Sequence, residues 1–316
     1  MKNYLIISPC RNEESFMKET LDTVCAQSVL PDKWIIVDDG STDLTPSILQ
    51  EYANKYDFID IVTRENRGHR KVGGGVIDAF NSGLLSINID EFEYICKLDL
   101  DLNLPRKYFE IIINKMQANP RIGNASGKPY YIDNKTGNLI SEGCGDENAI
   151  GAAKFYRVQC FKQIGGFVKE VMWDGIDGHR CRMLGWIAIS WDEPEIRFIH
   201  LRPMGSSQKS LLTGRFRHGF GQYFMGSSFV YMTVAAIYRM LFHRPFIVGG
   251  LAMWWGFVRS AIQGTSRLED PDFRKFLRKF QWNCLIKGKK KTIIQINNQQ
   301  EKFWNPDKAS ISFPDL

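Results

Sequence analysis

Over the first third of the chain, short apolar runs alternate with stretches of helical periodicity. The apolar runs lie at 4–8, at Trp34-Ile35-Ile36-Val37, at 58–62 and at Tyr94-Ile95-Cys96-Lys97-Leu98. Runs this short and continuous, bounded by turn residues, predict strands buried on both faces, as in a parallel sheet. Between the first two, Phe16, Leu21, Val24 and Cys25 fall at roughly helical spacing and predict a helix over about 14–27. Ile48, Leu49, Tyr52, Ala53 and Tyr56 share a face of a second helix, with Asp43 or Thr45 as its cap and Pro46 in its first turn. A third opens at Gly73-Gly74-Gly75 and carries Val76, Ile77, Phe80 and Leu84. This β-α-β-α-β-α-β order predicts an α/β fold whose ligand crevice lies at the carboxyl ends of the strands. Pro9 through Glu13, Asp38-Asp39-Gly40 and Asp99-Leu100-Asp101 are expected to share it.

Beyond residue 120 the regularity fades, with helices expected near 155–164 and 176–184 and strands around 187–190 and 196–199. From Gly219 to Tyr238 no residue is formally charged, and a second apolar segment spans 245–258. The first matches a membrane-spanning helix in length but is diluted by Gln222, Ser227, Ser228, Thr233 and three glycines. Interfacial helices fit better, with Tyr238, Trp254, Trp255 and Phe257 at headgroup level and Arg239, Arg244, Arg259, Arg274, Lys275, Arg278 and Lys279 facing anionic lipid. A helical hairpin packed on the preceding α/β domain, or forming a homodimer contact, is the alternative.

The composition of the 316 residues, 44% hydrophobic and 24% charged, allows one large domain or a domain with an appendage. The net charge of +6 comes from Lys and Arg gathered toward the C-terminus. That points to anionic lipid or diphosphate; no nucleic-acid-binding pattern is present, and nucleic acid is not an expected partner. Seven cysteines without a C-x-x-C pair or zinc spacing predict reduced thiols in the cytoplasm. The apolar start is cut off by Pro9 and Arg11-Asn12-Glu13-Glu14, too early for a secretory signal.

Two carboxylates two residues apart after a buried strand, Asp99 and Asp101, can turn toward one divalent cation held on phosphate oxygens. The motif is common by itself. Its specificity comes from company: the run Ile6-Ile7-Ser8-Pro9-Cys10-Arg11-Asn12-Glu13-Glu14, the stretch 36–43 and Lys97-Leu98-Asp99-Leu100-Asp101 with Pro105 resemble the three motifs of family-2 glycosyltransferases of the GT-A fold. The segments 66–83 and 151–166 and Trp173-Asp174-Gly175-Ile176-Asp177 extend the resemblance over roughly 3–205.

The resemblance implies a GT-A fold, a Rossmann-like and mostly parallel sheet flanked by helices, and a catalytic domain over 1–210, with a nucleotide half to about 105 and an acceptor half from 106. The apolar and basic positions beyond it predict a C-terminal helical, membrane-interfacial extension, with a membrane-association region over 211–286 and a basic and polar tail over 287–316. Carried over by residue, the resemblance implies that Pro9, Arg11, Glu13, Asp38, Asp39, Arg70 and Asp99 bind the nucleotide sugar. Asp101, Asp99 and His200 would hold Mn2+ or Mg2+, and Arg202 would neutralise the diphosphate. The catalytic base would be Asp174, with Asp177 as the alternate, because the family's adjacent Glu-Asp pair is here Trp173-Asp174. The implied reaction is inverting transfer from a UDP- or GDP-sugar to a hydroxyl of a lipid-linked or other glycan, in surface-polysaccharide assembly at the inner face of the cell membrane. A nucleotidyltransferase lacks support, since its Gly-rich, Arg-containing phosphate loop is missing near the first strand. A non-catalytic membrane-associated binding protein would tolerate loss of the acidic residues, and all are present.

Overall fold

The computed structural model describes residues 3–68, 73–133, 135–202 and 211–309. In chain order the first half contains β1 (Tyr4–Cys10), α1 (Met17–Cys25), β2 (Lys33–Asp38), α2 (Thr45–Lys55), β3 (Ile59–Thr63), α3 (Gly74–Leu85), β4 (Tyr94–Leu98), β5 (Leu102–Asn103) and α4 (Tyr108–Ala118). β1 lies between β2 and β4, parallel to both, and β2 pairs in parallel with β3. Alternation along β1 sends Tyr4 and Ile6 to one face, under α1, α2 and α4, and Leu5 and Ile7 to the other, under α3. Covered faces on both sides are why β1, β2 and β4 are largely apolar, with Lys97 buried inside β4, whereas β3 at the edge is only partly covered and carries Asp60. α3 sits close on the sheet at Gly83, where a Cβ would stand 2.8 Å from the Ile7 side chain and 3.0 Å from that of Val37.

The second half adds β6 (Ile122–Gly127), β7 (Pro129–Ile132), β8 (Leu139–Ser141), β9 (Ala153–Arg157), α5 (Val158–Gln163), α6 (Trp173–Met183), β10 (Ile187–Trp191) and β11 (Phe198–His200). The main sheet runs β10-β6-β9-β4-β1-β2-β3, and a smaller one runs β5-β11-β7-β8. The helix expected over 155–164 is instead the end of β9 followed by the short α5. β9 is antiparallel to both β4 and β6. Phe155 enters one core layer and Tyr156 the other, so burial on both faces removed the period-two signal.

Five helices follow: α7 (Leu211–Met225), α8 (Phe229–Phe242), α9 (Val248–Ile262), α10 (Pro271–Lys287) and α11 (Lys289–Gln300). The uncharged stretch 219–238 is therefore two helices. It breaks at Gly226, which adopts φ +85°, and Ser228 then caps α8 by accepting from the Tyr231 N–H at 3.1 Å. Among the described residues no helix is long and apolar enough to cross a membrane. α7 crosses α9 at backbone contact: a Cβ on Gly219 would stand 1.9 Å from the Met253 carbonyl oxygen, and one on Gly256 2.1 Å from that of Phe216. α10 docks on α6, with Ile176 among Phe273 and Leu277. The chain after α11 returns to the α/β unit, where Trp304 meets Trp186 at 5.9 Å between ring centroids.

Candidate active site

The loop after β1 and the loop after β2 are tied together by side chains that the sequence placed in one crevice. Glu13 N–H donates to Thr45 Oγ1 at 2.8 Å, Asn12 N–H to Ser41 Oγ at 2.9 Å, and Thr42 N–H to Asn12 Oδ1 at 2.8 Å. Neither Asp43 nor Thr45 is the cap of α2: Leu44 stands at that position with no side-chain cap bond, Thr45 is the first helical residue, and Asp43, one residue earlier, accepts from the Thr45 N–H at 3.0 Å. Asp38 is buried and accepts from the Ser41 N–H at 2.9 Å. Asp39 is held by Arg64 at 2.8 Å and by Arg67, while Arg11 donates to the Asp39 carbonyl and, at 2.6 Å, to Asn66 Oδ1. Gly40 has φ +72°, and a Cβ there would be 2.5 Å from Asn66 Cα, so both conformation and space require glycine. Pro9, half-buried, pairs with Val37 at the ends of β1 and β2.

Asp99 and Asp101 follow β4. Lys97, buried, pairs with Asp99 and donates to the Gly151 carbonyl at 3.0 Å. Arg202, just after β11, bridges Asp101 at 2.6 Å and Glu13 at 2.7 Å, linking the ends of β1, β4 and β11. Burial alone would lower the Arg202 pKa, but the two carboxylates reverse this and raise it. His200 donates or accepts through Nδ1 with Glu142 at 2.8 Å. Burial pulls its pKa down, yet Glu142, aided by Asp101 and Asp99, outweighs that and leaves it raised.

Asp99, Asp101 and His200 are of the donor types a divalent cation takes, two carboxylates and an imidazole, and Glu142 occupies the His200 Nδ1. Among the described residues, however, no three such side chains stand as an assembled metal cage. Asp99, Asp101 and His200 are each engaged by Lys97, Arg202 and Glu142. The residues fit a metal in type, and a cation would displace these protein partners to gain its ligands.

Across the crevice, α6 begins at Trp173, after Met172 in the left-handed region at φ +70°. Asp174 lies in its first turn with an exposed side chain. Asp177 is only 1% exposed and takes Lys154 Nζ on both oxygens at 2.7 Å, with the Tyr156 hydroxyl donating to it as well. Burial raises the Asp177 pKa, against the opposing pull of Lys154 and Tyr156. The same Nζ donates to the Asp174 carbonyl at 2.9 Å. Trp173 stands between Lys97 Nζ at 5.4 Å and Lys154 Nζ at 5.7 Å, joining the β4 end to the start of α6. α7 lies against this corner, since a Cβ on Gly221 would be 2.3 Å from the Met172 side chain.

Arg70 falls outside the described residues. Of the other predicted residues, Pro9, Arg11, Glu13, Asp38, Asp39, Asp99, Asp101, His200 and Arg202 stand at or just after the ends of β1, β2, β4 and β11, while Asp174 and Asp177 lie on α6, the first exposed and the second buried. Sequence reasoning missed Arg64, Arg67, Glu142 and Lys154. A charged residue within an apolar strand was the available signal for Lys154; the others sit in segments with no pattern of their own.

The model of the glycosyl transferase family 2 matches residues 5–165. Poly-beta-1,6-N-acetyl-D-glucosamine synthase of Staphylococcus epidermidis is 29% identical over 127 residues, which are 40% of this chain. The match spans 28% of the length of that relative. Among solved structures, the mannosyltransferase PcManGT from Pyrobaculum calidifontis, in complex with GDP-Man and Mn2+, superimposes with TM-score 0.51 at 16% identity, over 95% of this chain and 87% of that one. S. aureus TarS 1-349 in complex with UDP-GlcNAc gives 0.50 at 14%, over 95% and 90%. GalNAc-T7 with UDP, GalNAc and Mn2+ gives 0.57 at 12%, over 90% and 58%. At these identities the superpositions establish a shared fold.

Proposed function

The chain belongs to glycosyl transferase family 2 and is a glycosyltransferase of GT-A fold, and from that premise we propose that it moves a sugar from a UDP- or GDP-sugar to a glycan hydroxyl with inversion at the anomeric carbon. One observation carries the reading: Asp38 ends β2, Asp39 follows it, and Asp99 and Asp101 follow β4, the two strands that flank β1 in parallel, while Asp174 is exposed at the start of α6. Asp38 and Asp39 would accept from base or ribose, with Arg11 and Glu13 shaping the floor and Pro9 its edge. Asp101, Asp99 and His200 would hold a divalent cation, Mn2+ or Mg2+. When bound, that cation would offset charge on the diphosphate leaving group. Arg202 would exchange its carboxylate partners for phosphate oxygens. Asp174 would take the proton of the acceptor hydroxyl. Manganese accompanies two of the structural neighbours, which supports the cation assignment.

The acceptor would be a lipid-linked glycan in surface-polysaccharide assembly. The relationship to a poly-N-acetylglucosamine synthase supports the polymer class. α8 and α9 support a membrane surface, since both expose apolar residues, including Val234, Leu241, Phe242, Leu251 and Trp255. On this reading 1–210 are catalytic, 211–286 bind the cytoplasmic face of the membrane and 287–316 form the tail; all seven cysteines being free supports a reducing compartment. A panel of sugar nucleotides, each assayed for nucleotide release with Mn2+, with Mg2+ and with chelator, tests the proposal. Release from one UDP- or GDP-sugar only when a divalent ion is present is expected; release unaffected by chelator would overturn the metal assignment.

A further inference from the structure

Four cations, Arg267, Arg274, Lys275 and Arg278, line an open cavity of about 450 Å³ together with Pro271 at the start of α10. No acidic residue lines it among the described residues. Asp270 stands outside it, capping α10 by accepting from the Phe273 N–H at 2.9 Å and pairing with Arg180 at 3.5 Å, and the adjacent Glu269 and Asp272 are exposed and do not line it. Two of the cations are fixed by contacts that leave charge to spare. Arg278 Nε donates to the Gly226 carbonyl at 3.1 Å, and the Arg267 guanidinium lies 4.2 Å over the Tyr223 ring. Among the described residues, Arg274 and Lys275 have no ion-pair partner. A polar cavity with this charge is built for an anion.

Its surroundings identify the anion. Gly226 closes one side, where a Cβ would be 2.6 Å from the Arg274 side chain, and α8 leaves that corner directly with Phe229 and Val230 exposed. On α10 itself Lys275, Arg278 and Lys279 are followed along the same face by exposed Trp282 and Ile286, at helical spacing. A cationic cavity passing into an apolar rim matches the boundary between headgroups and acyl chains. A free phosphate or a nucleotide would gain nothing from that rim.

We propose that this cavity is a binding site for the phosphate of an anionic phospholipid headgroup, fixing how the apolar faces of α8 and α9 lie on the bilayer. The inference rests on the membrane-facing reading of those helices. The test uses the full chain, sedimented with vesicles of phosphatidylcholine alone or mixed with phosphatidylglycerol. Wild type should bind the mixed vesicles more tightly, and the paired variant Arg274→Gln with Lys275→Gln should lose that increment, roughly fivefold per cation removed. A Leu241→Ser, Phe242→Ser variant should lose binding to both vesicles. Inorganic phosphate should compete better than chloride at equal ionic strength, because a shaped site prefers its ligand whereas diffuse attraction is merely screened. Equal binding of wild type and the cation variant to mixed vesicles, or equal effects of phosphate and chloride, would overturn the site. Glycerol 3-phosphate, titrated by NMR without vesicles, separates the two readings. If it binds wild type and not the cation variant while no vesicle is bound, the cavity stands and the membrane-facing reading falls.

Discussion

Asp174 and Asp177 share a helix, and their surroundings give them different chemistry. Asp177 is locked by Lys154 and Tyr156, whereas Asp174 has its carbonyl held by that lysine and its carboxylate free. Asp174→Asn should leave the melting temperature and donor binding near wild type while lowering transfer by about 10²–10⁴. Asp177→Asn should unfold more easily by about 3–5 kcal/mol, since Lys154 then keeps a buried charge with no carboxylate. Transfer assays beside thermal melts check this; near-normal transfer by Asp174→Asn would remove it as the base. Asp101→Asn still leaves Arg202 one carboxylate, Glu13, so the fold should hold. Stimulation by Mn2+ should drop on the order of a hundredfold, and equal stimulation of variant and wild type would exclude Asp101 as a ligand. The motif carboxylates were legible because each directly follows an apolar strand in sequence. Glu142 and Lys154 were not, since Glu142, just after β8, reaches His200 on β11 across the intervening β7, and Lys154 on β9 meets Asp177 on α6, both over long stretches of chain.

At the scale of elements, the parallel half was legible because β1, β2 and β4 are buried on both faces and each helix on one, so runs and periodicity differ. β9 was lost because, buried on both faces and carrying Lys154, it shows neither alternation nor an unbroken apolar run. The break at 226–228 was lost because Ser227 and Ser228 dilute an apolar segment without charging it, and their use as turn and cap depends on Gln281. That side chain donates to Ser227 Oγ at 2.7 Å and accepts from the Ser228 N–H at 3.0 Å. Gly219 counts, in the sequence, as one of the glycines diluting a spanning helix, and in the fold it and Gly256 permit the close crossing of α7 and α9. Gly219→Val should therefore force α7 from α9 and cost about 1–3 kcal/mol. Limited proteolysis should cut its C-terminal helices faster than wild type, while donor hydrolysis at the distant strand ends persists. Unchanged protease resistance would mean that the crossing carries no stability.

At the scale of the whole molecule, the C-terminal helices are joined to the catalytic unit through α6, and that joint contains a titratable group. His179 lies on the helix that carries Asp174, with its ring edge-on to Phe280 at 4.8 Å and near Phe273 and Phe276. Burial pushes its pKa down to about 3, and the charges facing it, Arg182, Lys289 and Lys154, all push the same way. The folded protein therefore holds His179 neutral where the unfolded chain, with an ordinary pKa near ~6.5, takes up a proton. The sign follows from that difference. Above ~6.5 neither state is protonated and stability is full; as pH falls toward the folded value, only the unfolded state gains the proton and stability is lost. Between pH 7 and pH 5 this one group should remove about 2 kcal/mol. Because its ring packs on α10, the loss should show first as loosening of α10 and α11 from α6. His179→Phe keeps an aromatic ring in that aromatic setting and has nothing to protonate. Urea melts at pH 7 and pH 5 should show a smaller drop for His179→Phe than for wild type by about that amount, and hydrogen exchange at pH 5 should find α10 better protected in the variant. Equal drops in the two proteins would mean that other groups set the acid sensitivity of this joint.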